Sequence, residues 1–318
     1  MTSHRSTPEP PPPGLLEVTT VDYHTGGEPF RIVTGGVPEI PGATTLEKRR
    51  WAAAHLDPVR RLLVNEPRGH ADMYGCFVVA PEDAGADLGV LFFHNEGYST
   101  ACGHGTIALV SWALESGRLP ITGPETAVSI DVPSGRLACV ARCDVAAGRV
   151  LSVRFRNVPA FVLARDVRLD TSGGPVRVDV AYGGAFYGSV DVRSMGLAVD
   201  AASLPRLIAL QRELRPALDA ALDVTHAEQP ELRGVYGIIW WQDVPTVAGD
   251  GAALTQRNVT VFADGEVDRS PCGSGTSARL AILHAQGLLR VGDELRHWSI
   301  VDSVFAGRIV DTTAVAGR

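Results

Sequence analysis

One short segment of this 318-residue chain is present twice, so its fold must place both copies in equivalent settings. Cys102-Gly103-His104-Gly105-Thr106 and Cys272-Gly273-Ser274-Gly275-Thr276 align without a gap, and the match runs on through Ala108/Ala278 to Gly117/Gly287 and Leu119/Leu289. Each copy reads as a loop, a glycine-rich turn and an amphipathic helix of about four turns, closed by a glycine suited to a C-cap. The apolar faces are Ile107, Leu109, Val110, Trp112 and Ala113 in the first copy, and Leu280, Ile282 and Leu283 in the second. Each cysteine therefore stands at a helix N-terminus.

That position changes what the thiol is. A helix N-terminus carries roughly half a positive charge on unpaired N–H groups, and is expected to draw a cysteine pKa down from about 8.5 toward neutrality. Glycines beside the sulfur leave backbone N–H groups open to an anion such as a carboxylate. Two such turns in a pseudo-repeat predict two half-sites facing each other across a cleft. Two opposed thiols suit a reaction in which one thiolate takes a proton from carbon and the other thiol returns one to the opposite face.

The remaining sequence sets limits on that chemistry. At 318 residues two domains are expected rather than one core. A net charge of −7 without strong clustering argues against nucleic acid or an anionic membrane as partner. No apolar run reaches the ~20 residues of a membrane helix, and no signal peptide pattern opens the chain, so a cytoplasmic protein is expected. Cys76, Cys139 and Cys143 sit inside strand patterns and read as small core residues. Five scattered cysteines do not make a disulfide framework. Cys102-x-His104 lacks the spacing of a structural zinc site, so no metal is expected. A pyridoxal mechanism needs a Schiff-base lysine, and the only lysine, Lys48 in Glu47-Lys48-Arg49-Arg50, reads as part of a solvated helix face. No cofactor is expected.

Along the chain, 1–14 holds the run Pro8-Glu9-Pro10-Pro11-Pro12-Pro13 and reads as a disordered tail. A first α/β unit over 15–163 carries Cys102, and a second over 164–318 carries Cys272. Strands are predicted near Leu16–Asp22, Phe30–Val33, Cys76–Ala80, Leu88–Phe93, Ala127–Val132, Leu137–Arg142, Val150–Phe155, Val235–Trp241 and Asn258–Phe262. Helices are predicted over Thr44–Asn65, interrupted near Pro58, and over Leu204–Leu222. Gly183-Gly184 answers Gly26-Gly27 as a second opening turn. Periodicity leaves open whether the duplicated unit is α/β or α+β.

Four segments together carry a family resemblance: His24-Thr25-Gly26-Gly27-Glu28, Glu66-Pro67-Arg68-Gly69-His70, Cys102-Gly103-His104-Gly105 and Asp268-Arg269-Ser270-Pro271-Cys272-Gly273-Ser274-Gly275-Thr276. Over about Val18 to Gly307 the chain resembles the proline racemase family of proline racemases, hydroxyproline 2-epimerases and trans-3-hydroxy-L-proline dehydratases. The resemblance implies an α+β fold of diaminopimelate epimerase-like type: two pseudo-symmetric domains, each a curved, mostly antiparallel sheet around a central helix, with the active site between them. It implies a cofactor-independent enzyme acting on a small-molecule substrate, proline or hydroxyproline, and a homodimer is the assembly expected. By position, Cys102 and Cys272 would be the acid/base pair, and Gly103, His104, Gly273 and Ser274 would hold the substrate carboxylate. Asp268 would meet the ring nitrogen, and Tyr74 and Phe262 would wall the pyrrolidine ring.

Two departures accompany the resemblance. Members usually extend past the point matching Arg318, so the closing strands that return to the first domain are expected to be missing. Asp72-Met73-Tyr74-Gly75, His94-Asn95-Glu96-Gly97-Tyr98-Ser99 and Ala181-Tyr182-Gly183-Gly184-Ala185-Phe186-Tyr187 look like the dehydratase branch, whose members typically carry threonine where this chain has Cys272. The thiol tips the expectation to two-cysteine 1,1-proton transfer, with dehydration of trans-3-hydroxy-L-proline as the alternative. A carboxylate-binding module and a thiol redox protein are the competing classes; neither needs matched thiols on two faces of one pocket.

Overall fold

The computed structural model describes residues 16–246 and 251–313, so the expected tail over 1–14 lies outside the described residues. The chain builds one pattern of elements twice. The first half runs β1 (Thr19–Thr25), β2 (Glu28–Gly35), α1 (Thr45–His55), α2 (Asp57–Val64), β3 (Tyr74–Val79), β4 (Leu88–His94), β5 (Gly97–Tyr98), α3 (Gly103–Glu115), β6 (Glu125–Val132), β7 (Gly135–Asp144) and β8 (Arg149–Arg156). The second runs β9 (Phe161–Thr171), β10 (Gly174–Tyr182), β11 (Phe186–Asp191), α4 (Leu204–Ala221), β12 (Val235–Asp243), β13 (Leu254–Phe262), β14 (Glu266–Asp268), α5 (Gly273–Ala285), β15 (Glu294–Trp298) and β16 (Val304–Arg308).

Each half is one sheet, ordered β1-β2-β3-β4-β6-β7-β8 with β5 beside β4, and β16-β15-β13-β12-β11-β10-β9 with β14 beside β13. Neighbours are antiparallel except at β2·β3, β4·β6, β11·β12 and β13·β15, which are parallel. Parallel neighbours need a crossover, and each of these crossovers carries a helix: α1–α2, α3, α4 and α5 respectively. The fold is α+β, with β8 and β9 outside the shared pattern.

In each half the sheet is covered on one face by the crossover helix of its first parallel pair and on the other by the repeated helix. Val33, Phe77, Leu91 and Phe93 pack with Ala52, Leu56 and Leu63 of α1–α2, while Ile32, Cys76, Val90 and Phe92 pack with Leu109, Val110 and Ala113 of α3. In the second half Ile238, Val259 and Val261 face Leu207, Leu210 and Leu214 of α4, and Tyr187 and Ile239 face Ala278 and Ile282 of α5. This alternation along each strand is what a sheet covered on both faces requires. Among the described residues no helix is long and apolar enough to cross a membrane.

Several local expectations are corrected. α3 is buried almost all round, from Gly103 to Leu114, so it is a central rod rather than a one-faced helix. The repeated glycines lie inside the first turn of α3 and α5, not in a loop before them. Lys48 is not solvated: it is buried, with Nζ donating to Ala80 O at 2.6 Å. β1 and β2 run to within one glycine pair of each other, leaving Gly26-Gly27 as the whole turn.

Candidate active site

The two repeated helices meet end to end. A Cβ on Gly103 would lie 2.5 Å from Gly273 Cα, and one on Gly273 would lie 2.8 Å from Gly103 Cα, so backbone touches backbone at the centre of the pseudo-symmetry. Only glycine permits this approach. It brings the first, intrahelically unpaired N–H groups of both helices to one point.

Cys102 is the N-cap of α3, with extended backbone at φ −154° and Sγ accepting from Gly105 N at 3.3 Å. Its sulfur lies 3.5 Å and 3.6 Å from the two ring nitrogens of His104. Cys272 caps α5 differently, at φ 59° and ψ 99°, with no side-chain cap bond. A non-glycine residue there stores about 1–3 kcal/mol of strain that its surroundings must hold. The loop before it does so: Asp268 Oδ1 accepts from Ser270 N at 2.8 Å, and Ser270 Oγ accepts from Cys272 N at 3.1 Å. The Cys272 sulfur is 3.8 Å from the Tyr187 hydroxyl and 3.9 Å from Ser274 Oγ, which are themselves 2.7 Å apart.

The other expected residues join the same cluster. His104 Nδ1 lies 3.9 Å from Asp268 Oδ2, and its ring stands edge-on to Tyr74 at 5.1 Å. Tyr74 and Phe262 are 5.9 Å apart between centroids. The Tyr74 hydroxyl is tied to Ser99 and, at 2.9 Å, to the hydroxyl of Tyr236, whose ring stacks on Phe262 at 5.3 Å. Cys102 and Cys272 are each 6% exposed and Asp268 is 4% exposed, so the cluster is closed to solvent. A cavity of about 330 Å³ beside His94, Arg215, Tyr236 and Asp264 reaches the aromatic wall from outside. His70 and Asp72 are loop braces: Asp72 Oδ1 accepts from Val267 N at 2.8 Å, and His70 Nδ1 meets only Ala71 O.

Enclosure reverses the expected direction of the thiol shift. Burial pushes Cys272 up to about 12, with Asp268 adding to it, and pushes Cys102 well above the ordinary thiol range despite the Gly105 N–H. Desolvation of a buried anion outweighs half a helix charge. Burial also raises Asp268 to about 6 and holds His104 neutral, down at about 3.

Sequence reasoning gave no role to three further groups. Glu28, at the head of β2, is fully enclosed; its Oε2 accepts from Arg269 N at 2.8 Å while Oε1 has no partner, and burial together with Asp268 raises it strongly. The signal was a carboxylate in phase with the buried Phe30 and Ile32. His94 Nδ1 sits 2.9 Å from Glu266 Oε2, both buried, behind Tyr74 and Phe262. Tyr236 had no signal beyond its place in a buried strand. Among the described residues no group of three or more His, Cys, Asp or Glu is placed to hold a metal ion.

Comparison with known proteins agrees with this architecture. The profile of the family described as Proline racemase matches residues 20–318. A trans-3-hydroxy-L-proline dehydratase of Bacillus cereus is 44% identical over 297 residues, 93% of this chain and 87% of the relative. A 3-hydroxyproline 2-epimerase of Burkholderia multivorans is 48% identical over 301 residues, 94% of this chain and 88% of the relative. The crystal structure of a hydroxyproline epimerase from Agrobacterium vitis with bound trans-4-hydroxy-L-proline superposes with a TM-score of 0.86 at 35% identity, covering 95% of this chain and 86% of that one.

Proposed function

The chain belongs to the proline racemase family of enzymes, and on that premise we propose that it inverts the α-carbon of proline or a hydroxyproline by proton transfer between Cys102 and Cys272. The observation that carries this reading is the pair of thiols capping two helices whose N-termini touch, inside one enclosed cluster. One sulfur, as thiolate, takes the Cα proton; the other, as thiol, delivers its proton to the opposite face, and the configuration inverts.

The remaining residues are read from what this step demands. The substrate carboxylate and the charge developing beside the carbanion sit on the N–H groups of Gly103, His104, Gly273 and Ser274, which cost no reorganisation during reaction. Neutral His104 donates a ring N–H. Asp268 receives the ring nitrogen, whose positive charge offsets a carboxylate that is otherwise costly to ionise. Tyr74 and Phe262 flank the ring. A raised thiol pKa suits the task once a thiolate forms, because a more basic sulfur is a closer match to a weakly acidic carbon.

A second reading has its own support. Relatives include a trans-3-hydroxy-L-proline dehydratase, and the Tyr187 hydroxyl lies 3.8 Å from Cys272. There Cys102 would take the Cα proton, the C3–O bond would break, and Cys272 would protonate the departing hydroxide to water, leaving an enamine that tautomerises to a cyclic imine. Epimerisation followed by polarimetry and by Cα deuteration in D₂O, alongside a trap for the imine, separates the two. Imine from trans-3-hydroxy-L-proline, with no change in the rotation of proline or 4-hydroxyproline, overturns the first reading.

A further inference from the structure

The two thiols occupy the same turn of the same repeat, yet what stands behind them differs in kind. β4 turns Leu88, Val90 and Phe92 toward α3, within the hydrocarbon core that contains Cys102. In the frame that aligns Cys102 with Cys272, the matching residues of β13 are Asn258, Thr260 and Phe262, and Leu109 of α3 is matched by Arg279 of α5. At three of these four positions, all but Phe92/Phe262, the second core is therefore polar where the first is apolar. Asn258, Thr260 and His297 have no exposed surface, and Gln256 and Arg279 are 1% exposed.

These groups form a file rather than a scatter. Thr260, Asn258 and Gln256 follow one another on the α5 face of β13, about 7 Å apart, and Gln256 pairs in register with His297 of β15. Thr260 stands opposite Asp268 in the β13–β14 pairing, and its hydroxyl is among the groups that favour a Cys272 thiolate. Asn258 Nδ2 and Thr276 Oγ1 both donate at 3.2 Å to the carbonyl of Pro271, the residue before Cys272. Thr276 Oγ1 lies 2.8 Å from His297 Nδ1. At the far end Arg279 Nε donates to Gln256 Oε1 at 2.9 Å, and Gln256 Nε2 donates to Asp243 Oδ1 at 2.8 Å. Asp243 is 44% exposed and reaches Arg193 at the surface.

Three atoms of the file, Thr260 Oγ1, Asn258 Oδ1 and His297 Nε2, are buried without a protein partner. Buried polar groups in folded proteins find partners, and enclosed sites of this spacing and polarity are where internal water binds. We propose that this file is a proton path from Cys272 to solvent at Asp243, so that Cys272 exchanges its proton with bulk water while substrate is bound, whereas Cys102 exchanges its proton only between turnovers.

The inference rests on the two-thiol reading, which creates the need for such a path. Each inversion leaves the proton on the sulfur that began as thiolate, and a second molecule of the same isomer requires that the two sulfurs be reset. His297 is held neutral, down at about 3, by burial and by Arg279, so it relays by accepting at one nitrogen and releasing from the other. When a Cys272 thiolate draws a proton inward, the deficit that travels outward is negative. Arg279, flanked by Asp179, Asp191 and Asp243, lowers its energy on the way.

The test needs no variant to begin. Each of two interconverting isomers is incubated in D₂O, and deuterium at Cα is measured in the recovered, unreacted substrate at low conversion. A base that exchanges with solvent returns deuterium to its substrate, whereas an isolated base returns the original proton. Wild-type enzyme is expected to deuterate one recovered isomer at least about threefold more than its epimer. Thr260→Val, nearly isosteric, and His297→Leu are each expected to bring that ratio to near one. Equal deuteration of both isomers by wild-type enzyme, or a ratio that survives both substitutions in folded protein, overturns the path alone. No deuterium in either recovered isomer, with deuterium present in the product, overturns the path and leaves the two-thiol reading standing; no deuterium in the product either overturns both.

Discussion

Gly103→Ala isolates the contact on which the proposed chemistry depends. The added methyl would sit 2.5 Å from Gly273 Cα, 2.9 Å from its nitrogen and 3.1 Å from its carbonyl carbon. Ordinary carbon contacts need about 3.5–4.0 Å, so the two helix ends must part by about 1 Å. Both neighbours are backbone at the start of a buried helix, and no side-chain rotation relieves the clash. Overpacking of this kind costs about 1–3 kcal/mol, against which alanine recovers up to about 1 kcal/mol of helix propensity. Net destabilisation is therefore about 0–3 kcal/mol. Catalysis should suffer more, since a shift of about 1 Å between positioned groups costs about 10²-fold in rate. Gly117→Ala at the other end of the same helix is the counter-case: its φ is 75° with nothing within 4 Å of the new methyl. It should lose about 1 kcal/mol and keep full activity. Urea unfolding and Cα deuteration in D₂O on the same preparations give both readouts. A Gly103→Ala enzyme within threefold of wild type would refute the claim that touching helix ends set the distance between the thiols.

Cys102→Ser and Cys272→Ser should each lower Cα exchange by at least about 10²-fold with the fold intact by circular dichroism, and wild-type exchange in either variant removes that cysteine from the acid/base pair. Asp268→Asn should abolish turnover yet stabilise the protein at alkaline pH. Burial raises this carboxyl from 3.8 to about 6, so the stability it contributes is fully present below about pH 4 and is lost as pH rises through about 6, by up to about 3 kcal/mol. Thermal melts of wild type and variant that differ equally at pH 4 and pH 8 would contradict that assignment. Alkylation of the two thiols by iodoacetamide should be slow and slower still with pyrrole-2-carboxylate, which imitates the flattened carbanion; mass spectrometry showing no protection of either cysteine would count against a shared site.

What could be read in the sequence was what short-range chemistry encodes. The Cys-Gly-x-Gly-Thr repeat announces both half-sites because glycine in a first helical turn and a glycine at the helix end are local signals, and the continuous apolar run of β4 and the alternating pattern of β7 give their strands directly. Lys48 looks like a surface residue in the sequence because its neighbours Glu47 and Arg50 are exposed, while its own amine crosses to a carbonyl 32 positions away. The thiol shift took the wrong sign for a related reason. A helix terminus is visible in a dozen residues, but the desolvation that overrides it is set by how completely two sheets and their helices enclose the sulfurs. Glu28 and the His94–Glu266 pair were unassigned because nothing near them in sequence says that their partners lie across the gap between the halves.

The charges of the site constrain how a substrate lies in it. Two thiols and two carboxyl groups, Glu28 and Asp268, share one enclosed volume: burial raises all four, Asp268 further raises Glu28 and both thiols, and Glu28 and Cys272 further raise Cys102. The guanidinium beside Glu28, that of Arg269, is 39% exposed and stands 3.6 Å from its carboxylate. A site so arranged tolerates one thiolate only if positive charge enters with the ligand. On the proposed reading a proline zwitterion supplies it: the ring ammonium goes to the Glu28 and Asp268 end, and the carboxylate goes to the positive poles of the two helix N-termini. A neutral amide of the substrate would lose the second anchor, and an N-acylated one would lose the first together with the charge that lets a thiolate form. Selectivity for a free, charged imino acid then follows from the electrostatics of the empty fold, before any contact with the ring is counted.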